Sequence, residues 1–160
     1  MIEVINLCKS FNDHRVLDNV NLTIQTGETI VIIGCSGCGK SVLLKHIIGL
    51  LQPDSGQVLV DGTDLTHLPA KELSHFRLKF GMLFQGAALF DSLTVAENVG
   101  FALSEHTTQN AAAIRQRVQE CLALVGLEGI EAKYPAELSG GMRKRVGLAR
   151  AIALEPQIIL

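Results

Sequence analysis

The chain has 160 residues, 48 % hydrophobic and 19 % charged, a balance that excludes a disordered polypeptide and suffices for one packed domain. A net charge of −2, a pI near 6.2 and 4 % aromatic residues without tryptophan exclude a basic, base-stacking surface, so no nucleic-acid partner is expected. No apolar run reaches the ~18 residues of a membrane span, and "MIEVINLCKSF" lacks the apolar core of a secretory leader. A cytosolic chain is therefore expected, with Cys8, Cys35, Cys38 and Cys121 as reduced thiols.

In chain order, "IEVINLC" and "VLDNVNLTI" read as short strands on either side of a turn at Asn12–His14. Gly27 and Glu28 lead into "TIVIIG", Thr29–Gly34, an apolar run of strand length that predicts a central parallel strand buried on both faces. "SVLLKHIIGLL" is apolar nearly all round and predicts an inner helix, ended by the turn residues of "QPDSG". "QVLVDG" reads as a strand and turn, "LPAKELSHFRLK" as a short helix with Pro69 in its first turn, and "FGMLFQ" as a strand entering a loop at Gly86.

Thr94 and Glu97 stand three apart as a capping box ahead of a helix from Val95. From Asn110, the residues Ile114, Val118, Cys121, Leu122 and Val125 recur at helical spacing as a core stripe, with Gly126 as the cap. A further helix opens near Gly140 in "LSGGMRKRVGLARAIAL" and is stopped by Pro156, after which "QIIL" begins a strand. Arg143, Lys144 and Arg145 read as a solvated face of that helix. Strands alternating with helices around a glycine loop predict an α/β fold with a parallel sheet.

The loop is "GCSGCGKS". Gly34-x-x-x-x-Gly39-Lys40-Ser41 has the phosphate-loop spacing, with a strand pattern before it and an apolar helix after. Glycines let backbone N–H groups turn inward unobstructed, and the positive end of the following helix adds to the cradle. Lys40 offers a point charge to the β- and γ-phosphates, and Ser41 a hydroxyl to Mg²⁺. The candidate nucleotide-binding residues are Gly34, Cys35, Ser36, Gly37, Cys38, Gly39, Lys40, Ser41 and Val42. Cys35-x-x-Cys38 falls on variable positions of the loop and lacks the second pair that zinc needs, so both are read as filler. No N-K-x-D motif for guanine is present, and no arginine cluster of a small-molecule kinase lid.

With the loop and "MLFQ", "LSGGM" at Leu138–Met142 makes the chain resemble the ATP-binding domain of an ABC transporter over nearly all of its length. The resemblance implies a P-loop NTPase (RecA-like) parallel-sheet core, an N-terminal antiparallel β part and a helical subdomain carrying the signature. It places the nucleotide core and β part at about 1–85, the helical subdomain at about 86–150 and the start of a further core strand at 157–160, all within one partial domain. Ser139, Gly140 and Gly141 match the signature that faces a γ-phosphate held by a second copy. Gln85 matches the glutamine that reaches Mg²⁺ or the attacking water, and Phe11 the aromatic that stacks on adenine. ATP and Mg²⁺ are the implied cofactors.

Met142 and "GMLFQGAALFDSLTVAENVGFALSEHT" look like the ATPases of phospholipid and toluene-tolerance transporters, which work with MCE-domain proteins. A homodimer of ATP-binding domains, a polytopic permease and a peripheral position on the inner membrane are implied, and an amino-acid or metal importer is the alternative. The same resemblance implies an aspartate and a general-base glutamate after "IIL", and neither stands in this sequence. A positioned general base contributes ~10²–10⁴-fold to rate, so residues 1–160 are expected to bind ATP with little hydrolysis, the C-terminal part of the sheet being missing.

Overall fold

β1 (Ile2–Phe11) and β2 (His14–Ile24) form an antiparallel hairpin across Asn12 and Asp13 in the computed structural model, which describes Met1 to Leu160. Backbone contacts divide the chain into two units, Met1–Arg77 and Leu78–Leu160. No helix is long and apolar enough to cross a membrane.

In the first unit, β3 (Ser55–Val60) and β4 (Thr63–Asp64) complete an antiparallel sheet of order β2-β1-β3-β4. Ile2 and Val4 alternate into the core, but Leu7 rather than Asn6 continues the buried set. Asn6 takes a left-handed φ of 49° and the register slips between Val4 and Leu7. A bulge of this kind moves the side chains that follow to the other face, and further slips between Leu7 and Lys9 and between Lys9 and Ser10 shift the register again. Val58 and Val60 of β3 share the interior with Leu65, Leu73 and Ile47, each burial being worth roughly 1.5–3 kcal/mol.

α1 (Lys40–Ile47) follows the glycine loop. It ends four residues before the Leu51 of the expected helix, because Gly49 at φ 66° closes a Schellman motif: Gly49 N–H donates to the His46 carbonyl and Leu50 N–H to that of Lys45. Arg77 donates to the Ile48 and Gly49 carbonyls at the same helix end. α2 (Ala70–Phe76) starts after Pro69, which occupies the N-cap rather than the first turn.

Thr29–Gly34 is not the buried central strand that its composition predicts. It forms no strand, and Val31 and Ile33 are 78 % and 87 % exposed. A strand exists only through ladder hydrogen bonds to a neighbour, and no segment of residues 1–160 pairs with this run.

In the second unit, α3 (Val95–His106), α4 (Ala111–Leu124) and α5 (Gly140–Ile152) enclose a core of Val95, Val99, Leu103, Val118, Cys121, Leu122 and Val146. The expected capping box is present: Glu97 N–H donates to Thr94 Oγ1, and Thr94 N–H donates to the Glu97 carboxylate at 2.7 Å. Asn110 caps α4 by accepting from the N–H groups of Ala112 and Ala113, and Gly126 ends it at φ 66°. The parallel core is represented by β5 (Phe80–Gly81) paired with β6 (Ile158–Ile159). β5 is shorter than the "FGMLFQ" of the prediction, although Leu83 N–H still donates to the Leu160 carbonyl beyond it.

Candidate functional site

The phosphate-loop residues gather around one ammonium group. Lys40 Nζ donates to the carbonyls of Gly34 (2.9 Å) and Cys35 (2.7 Å) and lies 3.6 Å from Cys38 Sγ. Cys38 N–H donates back to the Cys35 carbonyl at 3.4 Å, closing a turn over Ser36 and Gly37. Gly37 and Gly39 take φ of 82° and 93°, values that L side chains rarely adopt. Gly39 is required twice over: a Cβ there would stand 2.9 Å from Val16 Cγ1 and 3.0 Å from the Val16 carbonyl oxygen, so the loop rests directly on β2.

Gly39 is also the N-cap of α1, and it has no side chain to hold the N–H groups of the first turn. The amides of Lys40, Ser41 and Val42 therefore begin the helix without a side-chain cap, as an anion cradle needs. Ser41 is exposed beside them, and a hydroxyl at this place suits a hard cation. Phe11 closes β1 with its ring 43 % exposed and Lys9 Nζ 5.7 Å from the ring centroid.

The second unit carries the other candidates. Gln85 and Gly86 form the tip of a turn in which Ala87 N–H donates to the Phe84 carbonyl at 2.8 Å, and Gln85 is exposed there. Ser139 is the N-cap of α5, its Oγ accepting from Met142 N–H at 3.3 Å. Gly140 and Gly141 are exposed, with open space where a Cβ would stand. Ser139 thus already serves as a helix cap, and Gly140 and Gly141 leave the first turn of α5 uncovered.

Three supporting residues escape a reading of motifs. Asn98, fully buried on α3, donates from Nδ2 to the carbonyls of Phe90, Leu93 and Thr94 and accepts from Phe90 N–H at 2.8 Å. It fixes the segment that follows Gln85, and the only signal is an asparagine on the apolar side of a helix. Arg150 donates to the carbonyls of Ala87 and Ala88, and burial holds its guanidinium below the usual arginine range. Arg145, expected on a solvated face, is exposed but donates to the Val125 and Gly126 carbonyls at 3.1 Å each. The C-terminus of α4 lies within its reach, so it completes a helix end.

Fold and loop together define a nucleotide-binding cassette. A family model for the ABC transporter family matches residues 17–160, and the chain belongs to that family as an ABC-type ATPase domain. It is 55 % identical, over 99 % of its length and 44 % of the relative's, to a Mycobacterium bovis protein named as the probable ribonucleotide transport ATP-binding protein mkl. It is 46 % identical, over 100 % of its length and 61 % of the relative's, to the intermembrane phospholipid transport ATP-binding protein MlaF of Haemophilus influenzae. Against the ATP-binding cassette MJ0796, solved as a dimer in a post-hydrolysis state with ADP and Pi, the TM-score is 0.93 at 36 % identity, covering 99 % of this chain and 72 % of that one. The antiparallel N-terminal sheet and P-loop α/β fold expected from the resemblance are those of this cassette. The chain spans between about two fifths and three fifths of the two curated relatives.

Proposed function

We propose that residues 1–160 are the ATP-gripping part of a transport ATPase. The observation that carries this reading is Lys40, whose ammonium lies against the loop carbonyls beside the uncapped first turn of α1. The triphosphate accepts from those amides and from Lys40 Nζ, which trades loop carbonyls for β- and γ-phosphate oxygens. Cys35, Ser36 and Cys38 contribute through their backbones, and the exposed ring of Phe11 stacks on adenine. Ser41 would hold Mg²⁺, which when bound neutralises charge on the β- and γ-oxygens. Gln85 orients the attacking water, while Ser139, Gly140 and Gly141 meet the γ-phosphate on a second copy of the chain. Hydrolysis then belongs to the dimer of the whole protein, and the dimeric state named for MJ0796 supports this.

The permease partner is supported by a groove of about 920 Å³ between α3 and α4, whose walls include Ala96, Phe101, Ile114 and Arg115. Its mostly apolar lining suits a short inserted helix. The similarity to MlaF, named for intermembrane phospholipid transport, supports a phospholipid or other hydrophobic cargo; the MCE-type partner and the position at the inner membrane face are what the sequence resemblance implies for such a cargo. A ribonucleotide cargo is the second reading, favoured by the higher identity to mkl.

The test is made on the whole transporter in proteoliposomes. Under the first reading, ATP turnover rises with added phospholipid acceptor vesicles and is indifferent to ribonucleotides on the cargo side. Stimulation by ribonucleotides alone would sink the lipid assignment, and failure of these residues to bind ATP in the presence of Mg²⁺ would sink the whole reading.

A further inference from the structure

We propose that Cys35 and Cys38 form a thiol–disulfide exchange site, at which a low-molecular-weight disulfide converts the pair to an intramolecular disulfide and withdraws the loop from nucleotide. The functional consequence rests on the nucleotide reading above, and the exchange itself does not.

Four observations meet at this pair. First, the hydrogen bond from Cys38 N–H to the Cys35 carbonyl makes the two cysteines the first and fourth residues of a β-turn, with Gly37 at φ 82° in the third position. The first and fourth Cα atoms of such a turn lie within ~7 Å, and disulfides span ~4.4–6.8 Å between Cα atoms. The turn therefore holds the two sulfurs' backbones at bridging distance without loop closure over any greater length. Second, Cys35 and Cys38 are both exposed residues, whereas Cys121 is buried with its thiol pushed up by desolvation, and Cys8 is half-buried with its sulfur accepting from Asn19 N–H.

Third, Lys40 Nζ lies 3.6 Å from Cys38 Sγ, and reactive cysteines sit in partly exposed, electropositive surroundings. Fourth, Cys38 Sγ lies 2.7 Å from the point where a Cβ on Gly34 would stand, so the sulfur is folded against the head of the loop beside the phosphate-binding ammonium. Its position is coupled to that of the group that grips nucleotide.

The chemistry balances as two exchange steps. The Cys38 thiolate attacks one sulfur of a disulfide such as glutathione disulfide, forming a mixed disulfide and expelling one thiolate. The Cys35 thiolate then attacks the Cys38 sulfur, forming the intramolecular S–S bond and expelling the second thiolate. Two protons leave the cysteines and are taken up by the two released thiols, so the protein is oxidised by two electrons and the small disulfide is reduced by two. The product pulls Cys38 Sγ away from Lys40 and locks the Cys35–Cys38 turn, so its amides cannot reorient around phosphate oxygens. A dithiol reverses both steps.

The experiment treats the reduced chain with millimolar glutathione disulfide, maps thiols by peptide mass spectrometry and titrates a fluorescent ATP analogue with Mg²⁺. The expected result is a Cys35–Cys38 linkage, nucleotide affinity weakened at least tenfold, and recovery with dithiothreitol. The C8S/C121S double variant gives the same response, while C35S retains glutathione on Cys38 because the resolving thiol is gone. Absence of the linkage, an unmodified Cys38 in C35S, or a complete linkage with unchanged affinity would each overturn the proposal. A reduced chain that binds no nucleotide would instead refute the nucleotide reading, and thiol mapping would still decide whether exchange occurs.

Discussion

Arg150, on α5, holds Ala87 in place: Nη2 donates to the Ala87 carbonyl at 2.6 Å, while Nη1 donates to that of Ala88 at 2.7 Å. Both alanines take left-handed backbone, at φ 63° and 47°, directly after the Gln85 turn. Conformations of that kind cost of order 1–3 kcal/mol each and persist only where the surroundings hold them. The fork of one guanidinium supplies that hold. Arg150→Ala leaves both carbonyls without this donor, one of them on a buried residue, and is expected to destabilise the chain by about 1–3 kcal/mol. Arg150→Lys should recover only part, since an ammonium lacks the planar fork. Denaturant midpoints of the three proteins check this, and an unchanged midpoint in the alanine variant would refute it.

Lys40→Met keeps the length of the side chain and removes its charge. Hydrogen bonds to charged groups are worth about 1.5–3 kcal/mol, so affinity for ATP should fall by roughly 10- to 150-fold. The bonds lost within the protein are those to the Gly34 and Cys35 carbonyls and to Cys38 Sγ on an exposed loop, and the fold should survive. Titration with a fluorescent ATP analogue, with circular dichroism as the control, measures both. Equal affinity in the two proteins would remove Lys40 from the site.

His46 is 2 % exposed on α1, and its Nε2 has no partner, while Nδ1 lies 2.7 Å from the Val42 carbonyl. A buried, unsatisfied polar atom costs about 1–3 kcal/mol, whereas an apolar side chain of similar shape is neutral or stabilising. The Val42 carbonyl keeps its backbone donor in the helix. His46→Leu is therefore expected to raise the melting temperature, by an amount equivalent to about 1 kcal/mol. A fall would show that the ring has a partner essential to the fold.

Acid should weaken the protein through its hydrogen-bonded carboxylates. The Lys9 ammonium at 2.8 Å and the Ser10 N–H hold Asp54 below the ordinary carboxylate range, and the Thr94 N–H and hydroxyl do the same for Glu97. At Asp64, burial pushes the carboxyl up, but hydrogen bonds from Thr66 and His67 outweigh it and the net direction is down. A depressed value in the folded state means that the unfolded chain binds more protons. The stabilisation is then complete above the unfolded carboxylate range of roughly pH 4, and it is lost as pH falls through the lower folded values. Because these carboxylates lie near the surface, melting temperatures between about pH 2 and 7 should fall modestly at the acid end, and Asp54→Asn should flatten that slope. An identical slope in the variant would exclude Asp54 as a contributor.

What could be read directly were features whose physics is local. The capping box of Thr94 and Glu97, the cap at Gly126 and the start of α5 near Gly140 each depend on residues within four positions of one another, and each stands where its spacing places it. The glycine loop is of the same kind, because Gly37 and Gly39 supply backbone angles that other residues resist. The guanidinium groups were not legible. Arg117 donates to the Ile152 and Ala153 carbonyls at the end of α5, and Arg145 to those at the end of α4, partners that lie between 19 and 36 positions away. A charge on a helix face reads the same whether it meets water or a distant carbonyl.

By itself, the amino-acid sequence determined the left-handed glycines of the loop before α1, the Ser139 start of α5 and the helix boundaries marked by caps, since these follow from backbone stereochemistry and short-range hydrogen bonds. Only the tertiary structure decided that Leu7 rather than Asn6 is buried, that Arg150 braces the turn after Gln85, and that Val31 and Ile33 lie open instead of inside a sheet. The physical reason is that a strand, a bulge and a carbonyl cap are each completed by a partner remote in the chain, and hydrophobicity alone does not name that partner.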